Sequence, residues 1–318
     1  MERVRIFSIF AFGKIHRNVK KEFTGFYLDF DQLIAMLRSQ GLEIEDEKKA
    51  KNILSNVSYA RLKSYLIPLM EDRSTHRFKP GATFGQAYAL YGFDRRLREL
   101  IFHEMEKFEI SLRTHIANAT SGAEKGYWFI NPDYFKNPRD HANLLRKMLS
   151  DINRSDNDAI VRFKEKYSND FPPCWLTLEA TSMGTLAIIF AEMKPGPFKS
   201  RIADYYGISE AVLNSWIQHL VYVRNYCAHH NRLWNKHLAV EGLVPERTRD
   251  PFPDLEAKDS RKIYFTLCVL KYLVNVIKPD NNFALRLVNL IDSFKTVRTE
   301  SEMGFPSGWR DDPFWRVY

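Results

Sequence analysis

Apolar residues recur at steps of three and four along one long stretch of the chain, from residue 84 to residue 120. The stripe consists of Leu90, Phe93, Leu97, Ile101, Met105, Phe108, Leu112, Ile116 and Ala119. This spacing follows the 3.6-residue turn of an α-helix and puts the whole stripe on one side. We therefore predict a long amphipathic helix over 84–120 that forms the backbone of the core.

Shorter helical patterns lie on both sides of this segment. Helical spacing predicts further helices over residues 31–38, 50–54, 59–66, 144–152, 159–167, 176–193, 209–234 and 262–276. The polar run 71–81 is interpreted as a linker, and the stretch 122–138, rich in Gly, Asn and Pro, as a loop. No alternating strand pattern competes with these assignments, so the predicted class is all-α, with a helical bundle as the default architecture.

The composition fits a folded protein whose partner is polyanionic, either a nucleic acid or an anionic membrane. Of the 318 residues 45% are hydrophobic, which is enough for a packed core and excludes a disordered chain. A formal net charge of +8 favours polyanionic partners. Cys174, Cys227 and Cys268 are widely spaced in apolar surroundings, and we expect buried free thiols in a reducing compartment.

The first 21 residues carry six Lys or Arg side chains and one acidic residue, Glu2. This basic arm would either contact phosphate groups or remain a solvated terminus. The apolar run 6–13 within it is too short to span a bilayer and is followed by no cleavage site of small residues. We therefore expect a cytoplasmic protein with no membrane partner.

Common catalytic and cofactor motifs are absent from the sequence. It contains no Gly-rich phosphate loop, no dinucleotide fingerprint and no nucleophilic serine elbow. His103 and Glu104 begin like a zinc-protease helix, but Lys107 stands where the second histidine would be required. The other histidines lack metal-ligand spacing, so we expect neither a metal ion nor another cofactor.

A dense polar cluster at the end of the helix predicted over 209–234 is the candidate site. If that helix continues through the cluster, Asn225, His229 and Arg232 fall at i, i+4 and i+7 and share one face. Arg224 lies five residues before His229, about 140° away around an ideal helix. Its side chain must therefore bend round, or the partner it serves lies on another chain.

The same cluster also has a purely structural interpretation. Arg and His near a helix C-terminus stabilise the last carbonyl groups. His230 follows the apolar line of Trp216, Leu220, Val223 and Cys227, so we interpret it as mostly structural. Two histidines and two arginines within twelve residues are harder to explain by capping, which favours a functional role for His229.

Residues 224–235 resemble the signature of the Abi-like abortive-infection proteins of bacteria. These proteins belong to the HEPN superfamily of helical ribonucleases, whose motif is an Arg, four to six residues and a His. The other segments that are similar to this family are 59–62 with Tyr65 and Pro68, 81–84, 91–94 with Leu97 and Arg98, 106–113, Pro172, Pro173, Trp175, Glu179, 182–184, 303–306, Trp309, Pro313 and Trp315. The resemblance thus extends over most of the chain.

The resemblance implies a HEPN-like helical bundle with an N-terminal helical accessory region. On that basis we divide the chain into a basic N-terminal extension at 1–27, an N-terminal helical region at 28–82 and the bundle with its C-terminal elaboration at 83–318. HEPN proteins commonly build their site from two subunits. We therefore expect a homodimer in which the two segments from Arg224 to His229 face each other across one cleft.

By resemblance, the expected activity is metal-independent endoribonuclease cleavage, in phage defence or as a toxin, with the RNA 2′-hydroxyl attacking the adjacent phosphate. His229 would transfer a proton and Arg224 would hold the phosphate, while Asn225 would orient the imidazole or donate to the phosphate. The supporting or RNA-binding candidates are Arg232, Glu106, Glu109, Arg113 and His230. For Glu109 and Arg113, an exposed ion pair between successive helical turns is the equal alternative.

Two other functions remain open at this stage. The same basic cleft would suit a non-catalytic protein that only binds a structured RNA or a phage component, because binding and cleaving sites for phosphate need the same cations. The helical hairpin at 31–53 has the outline of a DNA-binding helix-turn-helix. The expected partner is RNA, as substrate and as a candidate regulatory non-coding RNA.

Overall fold

The computed structural model of the protein describes residues 27–295, 297 and 300–316. The predicted basic arm at 1–21 lies outside this part of the chain. The described residues form α-helices and one small hairpin, which confirms the predicted all-α class.

In chain order the helices are α1 (Phe30–Ser39), α2 (Glu47–Asn56), α3 (Tyr59–Leu66), α4 (Phe84–Thr120), α5 (Pro138–Arg154), α6 (Asp158–Lys166), α7 (Cys174–Ala180), α8 (Met183–Glu192), α9 (Pro197–Tyr206), α10 (Glu210–Ala228), α11 (Ile263–Ile277), α12 (Phe283–Asp292) and α13 (Glu300–Met303). The strands are β1 (Met70–Asp72) and β2 (Arg77–Phe78). Short 3₁₀ turns occupy Ile67–Leu69, Ala123–Gly126, Trp128–Ile130, Pro132–Tyr134, Ala257–Arg261, Trp309–Asp311 and Pro313–Trp315.

The long helix α4 is the central element of the fold and has the predicted bounds. Thr83 begins it with a capping box, in which the Thr83 hydroxyl accepts the Gln86 N–H and the Gln86 side chain accepts the Thr83 N–H. The whole predicted apolar stripe is buried, and α3, α7, α9, α10, α11 and α12 pack around it. Buried residues of α1 and of the C-terminal segment belong to the same continuous core.

The segment 71–81, predicted as a linker, contains most of the hairpin instead. β1 and β2 pair antiparallel, with Met70 opposite Phe78. The Asp72 carboxylate accepts the Ser74 N–H at 2.7 Å and the Thr75 hydroxyl at 3.0 Å, and Phe78 is buried. The linker prediction is wrong because this polar run supplies the hydrogen bonds of a tight turn, and one apolar side chain fixes the strand behind it.

The segment 176–193, predicted as one helix, is divided between α7 and α8. Thr181 is extended at the end of α7, and the Ser182 hydroxyl accepts the Thr185 N–H at 3.2 Å as the N-cap of α8. A serine hydroxyl that caps a new helix competes with continuation of the old one, which explains the break.

Three helices, α9, α12 and the four-residue α13, have no counterpart among the predicted segments. α9 begins with Pro197 and ends at Gly207, whose φ of 67° is left-handed. It packs against α4 and α10. The buried side of α9 includes the charged Lys199, so its apolar pattern is interrupted and periodicity did not identify it.

The helix α11 is buried nearly all round, as predicted for 262–276. Its apolar surface is covered by neighbouring helices, chiefly α4, so it belongs to the core. Among the described helices none combines the length and the apolar character needed to cross a membrane.

Candidate functional site

The candidate site begins where α10 ends. Ser209 is the N-cap of α10, as predicted, but the helix stops at Ala228 with His229 as its C-cap. His230 has a left-handed φ of 55°, which an α-helix of L-residues does not continue through. Residues 229–235, the motif loop, are therefore not helical, and the predicted continuation of the helix is wrong.

A buried carboxylate of α4 explains this ending. Asp94 is fully buried, and its Oδ1 accepts the N–H groups of Leu233 at 3.1 Å and Trp234 at 2.6 Å. Its Oδ2 accepts the Tyr65 hydroxyl at 2.6 Å and Arg98 Nη1 at 2.5 Å. Inside a continuing helix the two N–H groups would bond to carbonyl groups four residues earlier, so Asp94 stabilises the loop in place of the helix.

Asp94 and Arg98 form a buried ion pair beneath the motif loop. Burial raises the pKa of the Asp94 carboxyl, while the Arg98 charge, the Tyr65 hydroxyl and the Trp234 N–H lower it. Burial lowers the pKa of Arg98, but the Asp94 charge together with the Tyr65 hydroxyl and the Cys227 thiol more than offsets this, and the pKa is raised. Removing one member of such a pair leaves the other charge buried without a partner, so the loop depends on both residues.

Side chains from α3 and α4 hold the backbone of the motif loop from the other side. Arg61 Nη1 donates to the His230 carbonyl at 2.6 Å, and Arg98 Nη1 donates to the Asn231 carbonyl at 3.2 Å. In return, Arg232 Nη1 donates to the Ser64 carbonyl at 2.9 Å. The loop conformation is thus fixed by residues more than a hundred positions earlier in the chain.

Sequence reasoning assigned no role to Asp94, Arg98, Tyr65 or Arg61, although the resemblance included all four. The available signal was Asp94 itself, because it follows Phe93 directly and lies on the buried side of the α4 stripe. A carboxylate at a core position requires hydrogen-bond partners, and those partners identify the loop that it holds.

Arg224 lies near the end of α10 and packs against α4. Its guanidinium carbon is 5.7 Å from the centre of the Phe102 ring, and Nη1 is 3.5 Å from the Asn225 Oδ1. Arg224 Nε is buried and has no hydrogen-bond partner within the described part of the chain. The covered Nε is out of reach of a ligand, so an anion would bind the other N–H groups of this half-buried guanidinium.

Asn225 and His229 are exposed on the surface beside Arg224. The described contacts include no hydrogen bond between Arg224 and His229. Arg232, predicted on the same helical face, lies in the motif loop and donates to Ser64 instead. The structure therefore brings Arg224, Asn225 and His229 to one helix end, and it moves Arg232 to a different surface.

His230, interpreted from the sequence as packed, is exposed because the chain leaves the helix one residue earlier. It lines a surface cavity of about 410 Å³, the basic pocket, together with Arg61, Arg232 and Lys236. Lys236 Nζ is also 6.0 Å from the centre of the Tyr226 ring. Three cationic side chains and one imidazole thus surround one opening beside the motif loop.

The three candidates on α4 differ in their surroundings. Arg113 is buried, and its Nε and Nη2 donate to the carbonyl groups of Leu178 at 2.7 Å and Thr181 at 3.1 Å. Its ion pair with Glu109, at 3.0 Å, is therefore not the exposed pair expected. Glu106 is exposed, one turn beyond the ring that contacts Arg224. Arg113 holds the end of α7 on α4, and an RNA-binding role for these residues stays a prediction.

A comparison with known protein families identifies the family of the chain that carries this site. A family model described as Abi-like protein matches residues 52–235, more than half of the chain. The chain belongs to the family of Abi-like proteins. The matched region of this Abi-like protein includes Asp94 with all of its described partners, the end of α10 and the whole motif loop. Membership supports a role in abortive infection, a defence against phage.

No curated protein and no solved structure matches this Abi-like protein significantly. Its chemistry must therefore be argued from its own residues. All three cysteines are buried free thiols, as predicted, and burial raises the pKa of Cys227 to about 12, so its thiol is no nucleophile near neutral pH. Within the described ranges, no three His, Cys, Asp or Glu side chains are grouped to hold a metal ion.

Proposed function

We propose that this Abi-like protein is a HEPN-type endoribonuclease of abortive infection that cleaves RNA without a metal ion. The carrying observation is the position of the exposed Asn225 and His229 beside Arg224, whose buried Nε–H has no partner in the described chain. An imidazole, an amide and a guanidinium thus lie within two turns of one helix end.

Each of these groups suits one requirement of RNA cleavage by the internal hydroxyl. In that reaction a bond forms between the 2′-oxygen and phosphorus, and the bond to the 5′-oxygen breaks. The His229 imidazole suits proton transfer at one of these oxygens, because imidazole exchanges protons near neutral pH. The Arg224 guanidinium stabilises the charge that develops on the phosphate, and Asn225 positions Arg224 or donates to the same phosphate.

The basic pocket supports RNA over a small substrate. It is lined by Arg61, Arg232 and Lys236, and Arg224 is not among its lining residues. Phosphates of a bound strand that flank the cleaved one would occupy a second cationic surface of this kind. The net charge of +8 also favours binding of a polyanion such as RNA.

A homodimer would complete the site. Arg224 makes no described hydrogen bond with His229 of its own chain, and the Phe102 ring beneath Arg224 is 41% exposed. Ile110, two turns along α4, is 53% exposed. A two-fold contact over this face of α4 would bury both apolar side chains and bring the two Arg224 side chains into one cleft.

A non-catalytic RNA-binding role is the second candidate. The described cationic contacts around the motif loop are structural or suited to phosphate, and no described contact orients the His229 ring. A protein that only binds RNA requires cations and has no need of an oriented imidazole. The two candidates predict different outcomes for His229.

The deciding experiment incubates the purified full chain with labelled RNA in excess chelator. Cleavage should proceed and leave 2′,3′-cyclic phosphate and 5′-hydroxyl ends. His229→Ala should lose cleavage while retaining RNA affinity, because an exposed imidazole contributes little to folding. His237→Ala, an exposed histidine just outside the motif loop, is the matched control and should cut normally.

Three results would each contradict the proposed mechanism. Undiminished cleavage by His229→Ala would exclude the proposed proton transfer. Cleavage that stops in chelator and returns with magnesium would replace the Arg-His mechanism with a metal-dependent one. RNA binding without cleavage by the wild-type protein would select the binding role.

A further inference from the structure

Among the described residues, two lysines are almost fully buried, and their partners differ. Lys199, 4% exposed, donates from Nζ to the carbonyl groups of Met193 at 3.1 Å and Ala191 at 3.4 Å. Its ammonium also lies 4.9 Å from the centre of the Phe190 ring. Burial and the neighbouring Lys136 lower the pKa of Lys199 to about 8, but two carbonyl dipoles and a ring face contact its ammonium.

Lys271, on α11, lacks such an environment. It is 7% exposed, and its described hydrogen bond is to the Asn275 side-chain oxygen at 2.7 Å. Asn281 donates to the same oxygen at 2.8 Å, so this single acceptor is shared. An ammonium has three donors, and a buried cation with one neutral acceptor is poorly compensated.

Lys271 lines a cavity of about 890 Å³. The cavity lies between the end of α11, the start of α12, residues 249–251 and the C-terminal turn. Its volume is typical of a small-molecule site and far exceeds the size of a single phosphate ion.

The walls of this cavity combine apolar surface with a few polar groups. The apolar side is formed by Pro251, Val276, Leu285, Pro313 and Phe314. Asn282 presents an exposed amide, and the exposed Arg316 adds a second cation at the opening. The Asn281 amide is already hydrogen-bonded to Asn275, Lys278 and Phe283. Arg249 contributes less charge, because Asp250 pairs with it at 3.0 Å.

We propose that this cavity binds a nucleotide, with the phosphate against Lys271 and the base against the wall that contains Pro313 and Phe314. The anion supplies the acceptors that the buried ammonium lacks, and the Asn282 amide hydrogen-bonds the sugar or base. Burial lowers the pKa of Lys271 and the Glu104 carboxylate opposes this change, so a bound phosphate would favour the charged lysine further. The site shares no described lining residue with the basic pocket and is independent of the proposed ribonuclease activity.

Isothermal titration of the full chain tests the proposal with AMP, GMP, ATP, adenosine and pyrophosphate as probes. At least one nucleotide should bind with one-to-one stoichiometry, and adenosine should bind at least about tenfold more weakly because it lacks the charge-assisted contact. Lys271→Met should weaken the nucleotide by a similar factor. Lys199→Met, which removes the other buried ammonium, should leave nucleotide affinity unchanged.

A second variant keeps the test decisive if Lys271→Met fails to fold. Leu285 lines the cavity and is 42% exposed, so Leu285→Trp should reduce the open volume and weaken nucleotide binding with little effect on folding. No binding of any nucleotide, or unchanged binding in these cavity variants, would overturn the proposal. Pyrophosphate binding as tight as that of the best nucleotide would also overturn it, because the site would then recognise phosphate alone.

Discussion

Asp94 and Trp234 lie 140 positions apart in the chain, yet the Asp94 carboxylate accepts the Trp234 N–H at 2.6 Å. The same carboxylate is paired with Arg98 one turn along α4. The motif loop therefore takes its shape from the central helix. Changes to α4 should alter the candidate site without touching Arg224 or His229.

Replacing Asp94 should destabilise the whole protein. Asp94→Ala leaves the Arg98 charge and two backbone N–H groups buried without their acceptor, which should cost about 3–5 kcal/mol in the free energy of unfolding. Urea denaturation measures this value. Arg95→Ala breaks an exposed pair with Glu99 on the same helix, and its cost should stay below about 0.5 kcal/mol. Equal costs for the two variants would contradict the proposed role of Asp94.

Variants of Arg113 and Glu106 should differ in stability, because Arg113 has a structural role on α4 and Glu106 has none. Arg113→Met leaves the carbonyl groups of Leu178 and Thr181 without their donor, so unfolding should become easier by about 1–3 kcal/mol. Glu106→Gln should leave stability unchanged, since Glu106 is exposed. Thermal and urea unfolding compare the two variants. A stable Arg113→Met protein with lost RNA binding would instead place Arg113 in the RNA site.

Protonation of His219 should destabilise the folded protein at low pH. This buried histidine is hydrogen-bonded to the Val240 carbonyl and the Thr266 hydroxyl, both at 2.8 Å, and burial lowers its pKa to about 4. In the unfolded chain His219 binds a proton with an ordinary pKa of about 6.5. The stability that depends on a neutral His219 is therefore fully present above pH 6.5 and is lost as the pH falls towards 4. The full difference amounts to about 3 kcal/mol.

Urea midpoints at pH 7 and pH 4.5 measure the His219 contribution. His219→Gln removes the titrating group, and its stability should change much less over the same interval. His115, whose pKa is also lowered by burial, contributes equally to both proteins and cancels. If the urea midpoint of His219→Gln falls as much between pH 7 and pH 4.5 as that of the wild-type protein, other groups cause the loss of stability in acid.

A charge on the exposed face of α4 should disrupt the proposed homodimer. Phe102→Asp places a carboxylate where two copies would meet, and light scattering should then report a monomer with reduced RNA cleavage. Leu243→Asp is the control, because Leu243 is 50% exposed on a separate loop. A wild-type monomer that cleaves RNA at full rate would contradict the dimer.

Much of the helical framework could be predicted from the sequence because α4 and α11 carry long, self-consistent apolar patterns. Their burial follows from local periodicity, and capping residues such as Thr83 and Ser209 mark where helices begin. The helix α9 escaped prediction because its buried side includes the charged Lys199 beside Ile202, Ala203 and Tyr206, which interrupts the apolar pattern. The residues of the candidate motif were likewise identifiable, since their chemistry and spacing are local properties of the chain.

The geometry of that motif was decided by the tertiary structure. The apolar line through Cys227 favours continuation of α10, and that local preference lost to the buried Asp94, whose hydrogen bonds hold Leu233 and Trp234 in a loop. The exposure of His230 and the turning of Arg232 towards α3 follow from this one distant contact. The sequence by itself therefore determined which side chains are available at the motif. Long-range hydrogen bonds to the buried Asp94 carboxylate determined where those side chains lie. This is because a buried charge requires hydrogen-bond partners, wherever in the chain those partners occur.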